Sequence, residues 1–160
     1  MLRLASYDIV FQEIPGEVTL ALNLSGCPNR CPGCHSPHLR EDIGEQLEGA
    51  VLNGLLHYYG TSVTCVCFMG GDGDPLEVEQ LAMAIRRDSG GRLKTAWYSG
   101  KAALPYGCTT ACFDYIKLGP YIESLGGLDS TNTNQRFYKV AAEGTMTDMT
   151  ELFREKHTLR

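Results

Sequence analysis

Apolar and polar positions along the chain switch between a strand-like and a helix-like period, and each switch marks an element. Residues 17–24, EVTLALNL, form a nearly continuous apolar run rich in Val, Thr and Leu, which predicts a strand buried on both faces. Runs of the same kind follow at 62–69 (SVTCVCFM), 93–98 (LKTAWY) and 113–118 (FDYIKL). Between the first two, Leu47, Val51, Leu55 and Tyr58 recur at helical spacing and predict a helix over 45–59, stopped by Gly60. Between the next two, residues 76–88 predict a second helix with Leu81, Ala84 and Ile85 inward and Gly90-Gly91 closing it. Residues 4–14 mix apolar and acidic positions, as an edge strand or extended arm does, before a Pro15-Gly16 turn. Residues 101–112 predict only short helical turns, 121–134 are irregular, and 135–140 predict a last strand. The polar stretch 143–160 reads as a loose terminal helix or a frayed tail.

Strands alternating with helices predict an α/β fold with a mostly parallel sheet and right-handed crossovers. In such sheets ligands bind beyond the carboxyl ends of the strands. Four loops fall at such ends: the one after residue 24, Gly70-Gly71-Asp72, Tyr98-Ser99-Gly100 and Lys117-Leu118-Gly119. They are expected to converge on one rim. At 160 residues, with no internal repeat, residues 1–160 form one expected domain with a single core.

Composition narrows the chemistry. Hydrophobic residues at 43% and charged ones at 21% are ordinary for a globular chain. The net charge of −5 argues against a nucleic-acid surface, which needs clustered Lys and Arg, while leaving room for small anionic ligands. No signal peptide and no apolar stretch of membrane-spanning length is visible, so no membrane partner is expected. Seven cysteines is an odd number, and three of them cluster, which fits metal ligation in a reducing cytoplasm better than a disulfide framework.

That cluster lies in SGCPNRCPGCHSPHLR, residues 25–40, where Cys27, Cys31 and Cys34 stand in a C-x3-C-x2-C array. Two prolines and Gly33 keep the loop out of helix. Three thiolates without an obvious fourth leave one coordination position of a metal centre open. An iron–sulfur cluster with one non-cysteine iron fits this donor set. A closed Cys3His zinc site using His35 or His38 is the structural alternative.

The remaining candidates are individually plainer. Gly70 and Gly71 permit backbone conformations and close approaches that a side chain would block, although a strand-to-helix turn before Asp74-Pro75 is the bland alternative. Asp114 and Lys117 fall on opposite faces of their strand. Cys65 and Cys67 share one strand face and read as buried apolar residues, Trp97 as core, and His57 as helix surface or core edge. Cys108 and Cys112 have the spacing of one helical turn, a second metal site or redox pair that is incomplete by itself.

The C-x3-C-x2-C array after a first strand, with a Gly-Gly-acid turn after the second, resembles the radical S-adenosylmethionine superfamily. CPNRCPGCHSP, MGGDGDP, WYSGK, DYIKLGPYIESL and the Ser130 to Arg136 stretch STNTNQR are similar, within it, to the anaerobic ribonucleoside-triphosphate reductase activating proteins. The likeness runs from about Asp8 to Tyr138; the superfamily often has an aromatic residue before the third cysteine, where this chain has Gly33. The resemblance implies a partial, open (β/α) barrel with its site at the carboxyl ends of the strands. It implies one [4Fe–4S] cluster held by Cys27, Cys31 and Cys34, with the open iron binding S-adenosyl-L-methionine. Gly70, Gly71 and Asp72 would receive the cofactor's ammonium group, Ser99 and Gly100 would face its ribose or methionine part, and Lys117 its carboxylate. The implied activity is that of an oxidoreductase that forms a glycyl radical on the catalytic subunit of anaerobic ribonucleoside-triphosphate reductase. A flavodoxin- or ferredoxin-like protein would supply the electron. Another glycyl-radical enzyme or a small molecule as substrate, and a non-catalytic zinc or iron–sulfur module, are the alternatives.

Overall fold

The computed structural model describes residues 1–29, 37–105 and 107–154. The predicted runs form β1 (Arg3–Val10), β2 (Thr19–Leu24), β4 (Cys65–Met69), β5 (Lys94–Tyr98), β6 (Tyr115–Leu118) and β7 (Arg136–Val140). Two short strands, β3 (Glu45–Gln46) and β8 (Met146–Asp148), helices α1 (Gly49–Tyr59) and α2 (Pro75–Asp88), and two 3-10 turns, Pro37–Arg40 and Thr110–Cys112, accompany them, the second within the stretch expected to form only short helical turns. All strands join one sheet in the order β3-β1-β2-β4-β5-β6-β7-β8. The fold is therefore α/β, and its centre is parallel as expected.

The sheet as a whole is mixed, not mostly parallel. Three pairings are parallel (β2–β4, β4–β5, β5–β6) and four are antiparallel (β1–β2, β1–β3, β6–β7, β7–β8). The reason is connection length: β2 to β4 and β4 to β5 are joined through helices, whereas residues 11–18 and 141–145 join neighbours directly and reverse the chain.

Period two sorts the central strands onto two faces. Leu20, Leu22, Val66, Phe68, Trp97 and Ile116 pack in one cluster with Leu52 of α1 and Val78, Leu81, Ala82 and Ile85 of α2. Trp97 is fully buried and stacks on Phe113 at 5.7 Å. The opposite face carries Cys65, Cys67, Ala96, Tyr115 and Phe137, and neither helix contributes to that cluster. Ile14, Leu128, Met149 and Phe153 cover it instead.

Three helical and terminal expectations need correction. The first helix begins at Gly49 and not at residue 45, because Glu45 and Gln46 find backbone partners in β1 and the Leu47 amide donates to Leu2 O. Its inward residue is Leu52, flanked by Val51, Leu55 and Leu56, while Tyr58 is 80% exposed. In α2, Ala82 and Val78 replace Ala84 as inward positions beside Leu81 and Ile85. Within 143–160, residues 146–148 form β8, Thr150 is buried and receives the Phe137 amide at 2.9 Å, and Phe153 packs edge-on against Phe137 at 5.1 Å. Residues 152–154 are helical, in line with the terminal-helix alternative, and through Phe153 this part of the segment packs on the second face of the sheet and is not frayed.

Candidate functional site

The loops at the carboxyl ends of β2, β4, β5 and β6 meet as the α/β order predicts. They enclose a cavity of about 340 Å³, within the usual range for small-ligand sites of roughly 300–1,000 Å³. Cys27, Gly70, Asp72 and Lys117 line it together with Asn29 and Gly100. Apolar walls come from Leu24, Met69 and Tyr98, and the loop after β6 closes the far side with Tyr121, Leu128 and Gln135.

Cys27 is half-buried, and the backbone around it is tied to the chain that follows the cysteine array. Its amide donates to Leu39 O at 2.8 Å, the Gly26 amide to Glu41 O at 2.9 Å, and Ser25 Oγ to Ile43 O at 2.5 Å. The two flanks of the loop are thus zipped together under the cavity wall. Cys31, Cys34 and His35 lie outside the described residues. Among the described residues no group of three His, Cys, Asp or Glu side chains gathers to hold a metal, and His38 is exposed.

The Gly-Gly-Asp turn divides its labour. Gly70 (φ +105°) lines the cavity, and its carbonyl accepts the Trp97 indole N–H at 2.7 Å. Gly71 (φ +91°) faces the helix-side core, where a Cβ would stand 2.6 Å from Val78 Cγ2. Asp72 is only 9% exposed, yet its carboxylate is well supplied with donors. Oδ1 accepts Ser99 Oγ–H at 2.5 Å; Oδ2 accepts the Gly100 amide at 2.8 Å and the Asn29 side-chain amide at 2.6 Å. Ser99 is fully buried and does not line the cavity; it holds Asp72, and Gly100 forms the wall in its place.

Lys117 is buried on the face of the sheet that α1 and α2 leave uncovered. Its ammonium donates to Ser99 O at 3.1 Å and Gly119 O at 2.9 Å and lies 5.7 Å from the Tyr98 ring centre. Asp114 sits at the other end of the same strand, accepting from the Thr95 amide and Arg86. Tyr98 is tied through its hydroxyl to Glu13 O, and burial raises its phenol well above the ordinary value. Gln135 lines the cavity, Asn134 donates to Pro120 O, and Arg136 turns away to Asp148 at 3.6 Å.

The other cysteines are quiet. Cys65 and Cys67 are fully buried, and burial pushes both thiols far up. Burial raises Cys108 to about 12 and Cys112 to about 11, so both are protonated near neutrality. His57 is exposed on α1.

Sequence reasoning missed Asn29 and Gly100 as partners of Asp72; the asparagine inside the cysteine array was the available signal. It also missed a second buried polar cluster at the amino ends of the parallel strands. There Glu17 accepts from Lys94 (2.8 Å), Tyr115 (2.8 Å) and Thr64 (2.8 Å). Burial alone would raise the Glu17 carboxyl, but these three bonds outweigh it and hold the group below its ordinary value.

Comparison with protein-family models, with curated proteins and with solved structures found no match. Among the described residues no helix is long and apolar enough to cross a membrane.

Proposed function

We propose that the chain is a radical S-adenosylmethionine activase whose sheet serves as a partial, open barrel. The observation that carries this reading is that Cys27 after β2, Gly70 and Asp72 after β4, and Lys117 on β6 line one cavity. The donor set fits the group: a thiol at the rim of a small-ligand cavity, from an array of three, with a carboxylate and an ammonium facing the same space. Cys27, Cys31 and Cys34 would hold a [4Fe–4S] cluster. When bound, the cluster and S-adenosylmethionine would supply one electron and a 5′-deoxyadenosyl radical able to take a hydrogen atom from a glycine of the partner.

The chain's own residues bind and orient. Lys117, held by two carbonyls, presents positive charge to a carboxylate. Asp72 Oδ1, with a single donor among the described residues, retains an acceptor direction for an ammonium group. The Gly70 Cα bears no side chain that would narrow the approach. Leu24, Met69 and Tyr98 give the cavity its apolar wall. The partner is the catalytic subunit of anaerobic ribonucleoside-triphosphate reductase, and the electron donor a flavodoxin- or ferredoxin-like protein. Anaerobic incubation with that subunit, a reductant and S-adenosylmethionine is expected to give a glycyl radical signal in electron paramagnetic resonance. Cleavage of the cofactor with no such signal would shift the substrate to another glycyl-radical protein or a small molecule.

A further inference from the structure

Asn29 stands inside the cysteine array, between Cys27 and Cys31, yet its side chain leaves the loop for the turn after β4. Its amide nitrogen lies 2.6 Å from Asp72 Oδ2, which also accepts the Gly100 amide at 2.8 Å, while Ser99 occupies Oδ1 at 2.5 Å. A bond from an amide to a buried carboxylate is charge-assisted, stronger than one between neutral groups. The third loop leaves room for this crossing: a Cβ on Gly100 would lie 2.6 Å from the Asn29 amide nitrogen. Three loops therefore join at one carboxylate, and among the described residues Asn29 is the one that brings the cysteine array to it.

We propose that Asn29 is a positioning residue that latches the cysteine loop to the turn after β4, fixing Cys27 relative to the Gly70 and Asp72 wall. The latch itself needs no cofactor; its consequence for S-adenosylmethionine rests on the functional reading above. The backbone bonds from Gly26 and Cys27 hold the base of the loop to its return strand, but they do not link it to the neighbouring turn. Removing the amide would leave the loop closed at its base and unregistered across the cavity.

The test uses Asn29→Ala, Gly100→Ala and the isosteric Asn29→Asp, which keeps the shape, removes the donor and sets two carboxylates together. Asn53→Ala, on the exposed side of α1, is the control. In the metal-free full-length chain, carbamidomethylation of Cys27 by iodoacetamide, read by peptide mass spectrometry, is expected to quicken at least about fivefold in the three variants and not in the control. In the anaerobically reconstituted protein the variants are expected to retain their iron, with KM for S-adenosylmethionine raised about tenfold and kcat changed less than about twofold. Asn29→Asp matching the parent while Asn29→Ala is impaired would mean that the residue only fills space, and would overturn the latch. Unchanged Cys27 rates in all three variants would overturn it as well. A parent protein that takes up no iron would defeat the cofactor reading, and the Cys27 rates would still decide the latch.

Discussion

At the amino ends of β2, β4, β5 and β6 a buried carboxylate, Glu17, is surrounded by Lys94, Tyr115 and Thr64; at their carboxyl ends another, Asp72, is surrounded by Asn29, Ser99 and Gly100. Each sits where four strand ends meet, and each accepts three hydrogen bonds from the described residues. The difference lies in what adjoins them. Glu17 has a cation bonded to it and helps seal the base of the sheet. Asp72 is held by neutral donors and borders an open cavity that Lys117 and Cys27 also reach. The two carry the same number of donors among the described residues, so what separates them is charge pairing at Glu17 and the neighbouring cavity at Asp72. On the proposed reading, the two ends of one set of strands separate stability from chemistry.

Substitutions at the two ends are expected to fail in different ways. The largest effect is at the rim: Cys27→Ala and Cys31→Ala are each expected to abolish cluster assembly and cofactor cleavage, with Tm of the Cys27 variant within about 2 °C of the parent, since Cys27 is only half-buried and lies outside the core clusters. A large loss of Tm would show that the loop also supports the fold. Next is Glu17→Ala, which leaves the buried Tyr115 hydroxyl without its acceptor and costs about 1–3 kcal/mol; Thr64, exposed and also within reach of Val18 O, and Lys94, almost half exposed, add little. Denaturant unfolding should show this loss without loss of iron binding. Within the Gly-Gly turn, Gly71→Ala should cost about 2–3 kcal/mol through its contact with Val78, against about 1 kcal/mol for Gly70→Ala. Equal costs would contradict the division of that turn into a core-facing and a cavity-facing glycine.

The smallest effect is a pH dependence. The Glu17 carboxyl is depressed in the folded state, so its contribution is complete above its ordinary value of 4.5 and is lost as pH falls through the folded value. The Lys94 ammonium is raised, through its bond to Glu17, so its contribution is complete below its ordinary 10.5 and is lost at still higher pH. Both are in force at neutrality. Glu17→Gln is expected to flatten the acid side of a plot of Tm against pH; an unchanged acid slope would assign it to other carboxylates.

Much of this contrast was legible in the sequence. The apolar runs at 17–24, 62–69, 93–98 and 113–118 located the four central strands because burial on both faces leaves a continuous signal. Placing the loops at one rim followed from strand order alone. The ends of the sheet were harder: β3 is two residues long and β8 three, too short for any period, and their pairing depends on β1 and β7. Tyr58 lies at the margin of the apolar stripe: the inward face centres on Leu52, Leu55 and Leu56, and the pattern taken from Leu47, which belongs to the chain before the helix, pointed one residue to the side. Ser99 was read as a ligand contact because a strand end cannot show which neighbouring loop its hydroxyl will meet. Asn29, Glu17 and Tyr115 were silent for the same reason: their partners lie 43, 77 and 98 residues away along the chain.

The central claim is that the three-cysteine loop holds an iron–sulfur cluster opening onto the cavity. Anaerobic reconstitution with iron and sulfide, followed by reduction in the presence of S-adenosylmethionine, tests it directly. The account predicts a brown protein with about four irons per chain that releases methionine and 5′-deoxyadenosine. A colourless protein that binds one zinc tightly and leaves S-adenosylmethionine intact would contradict it.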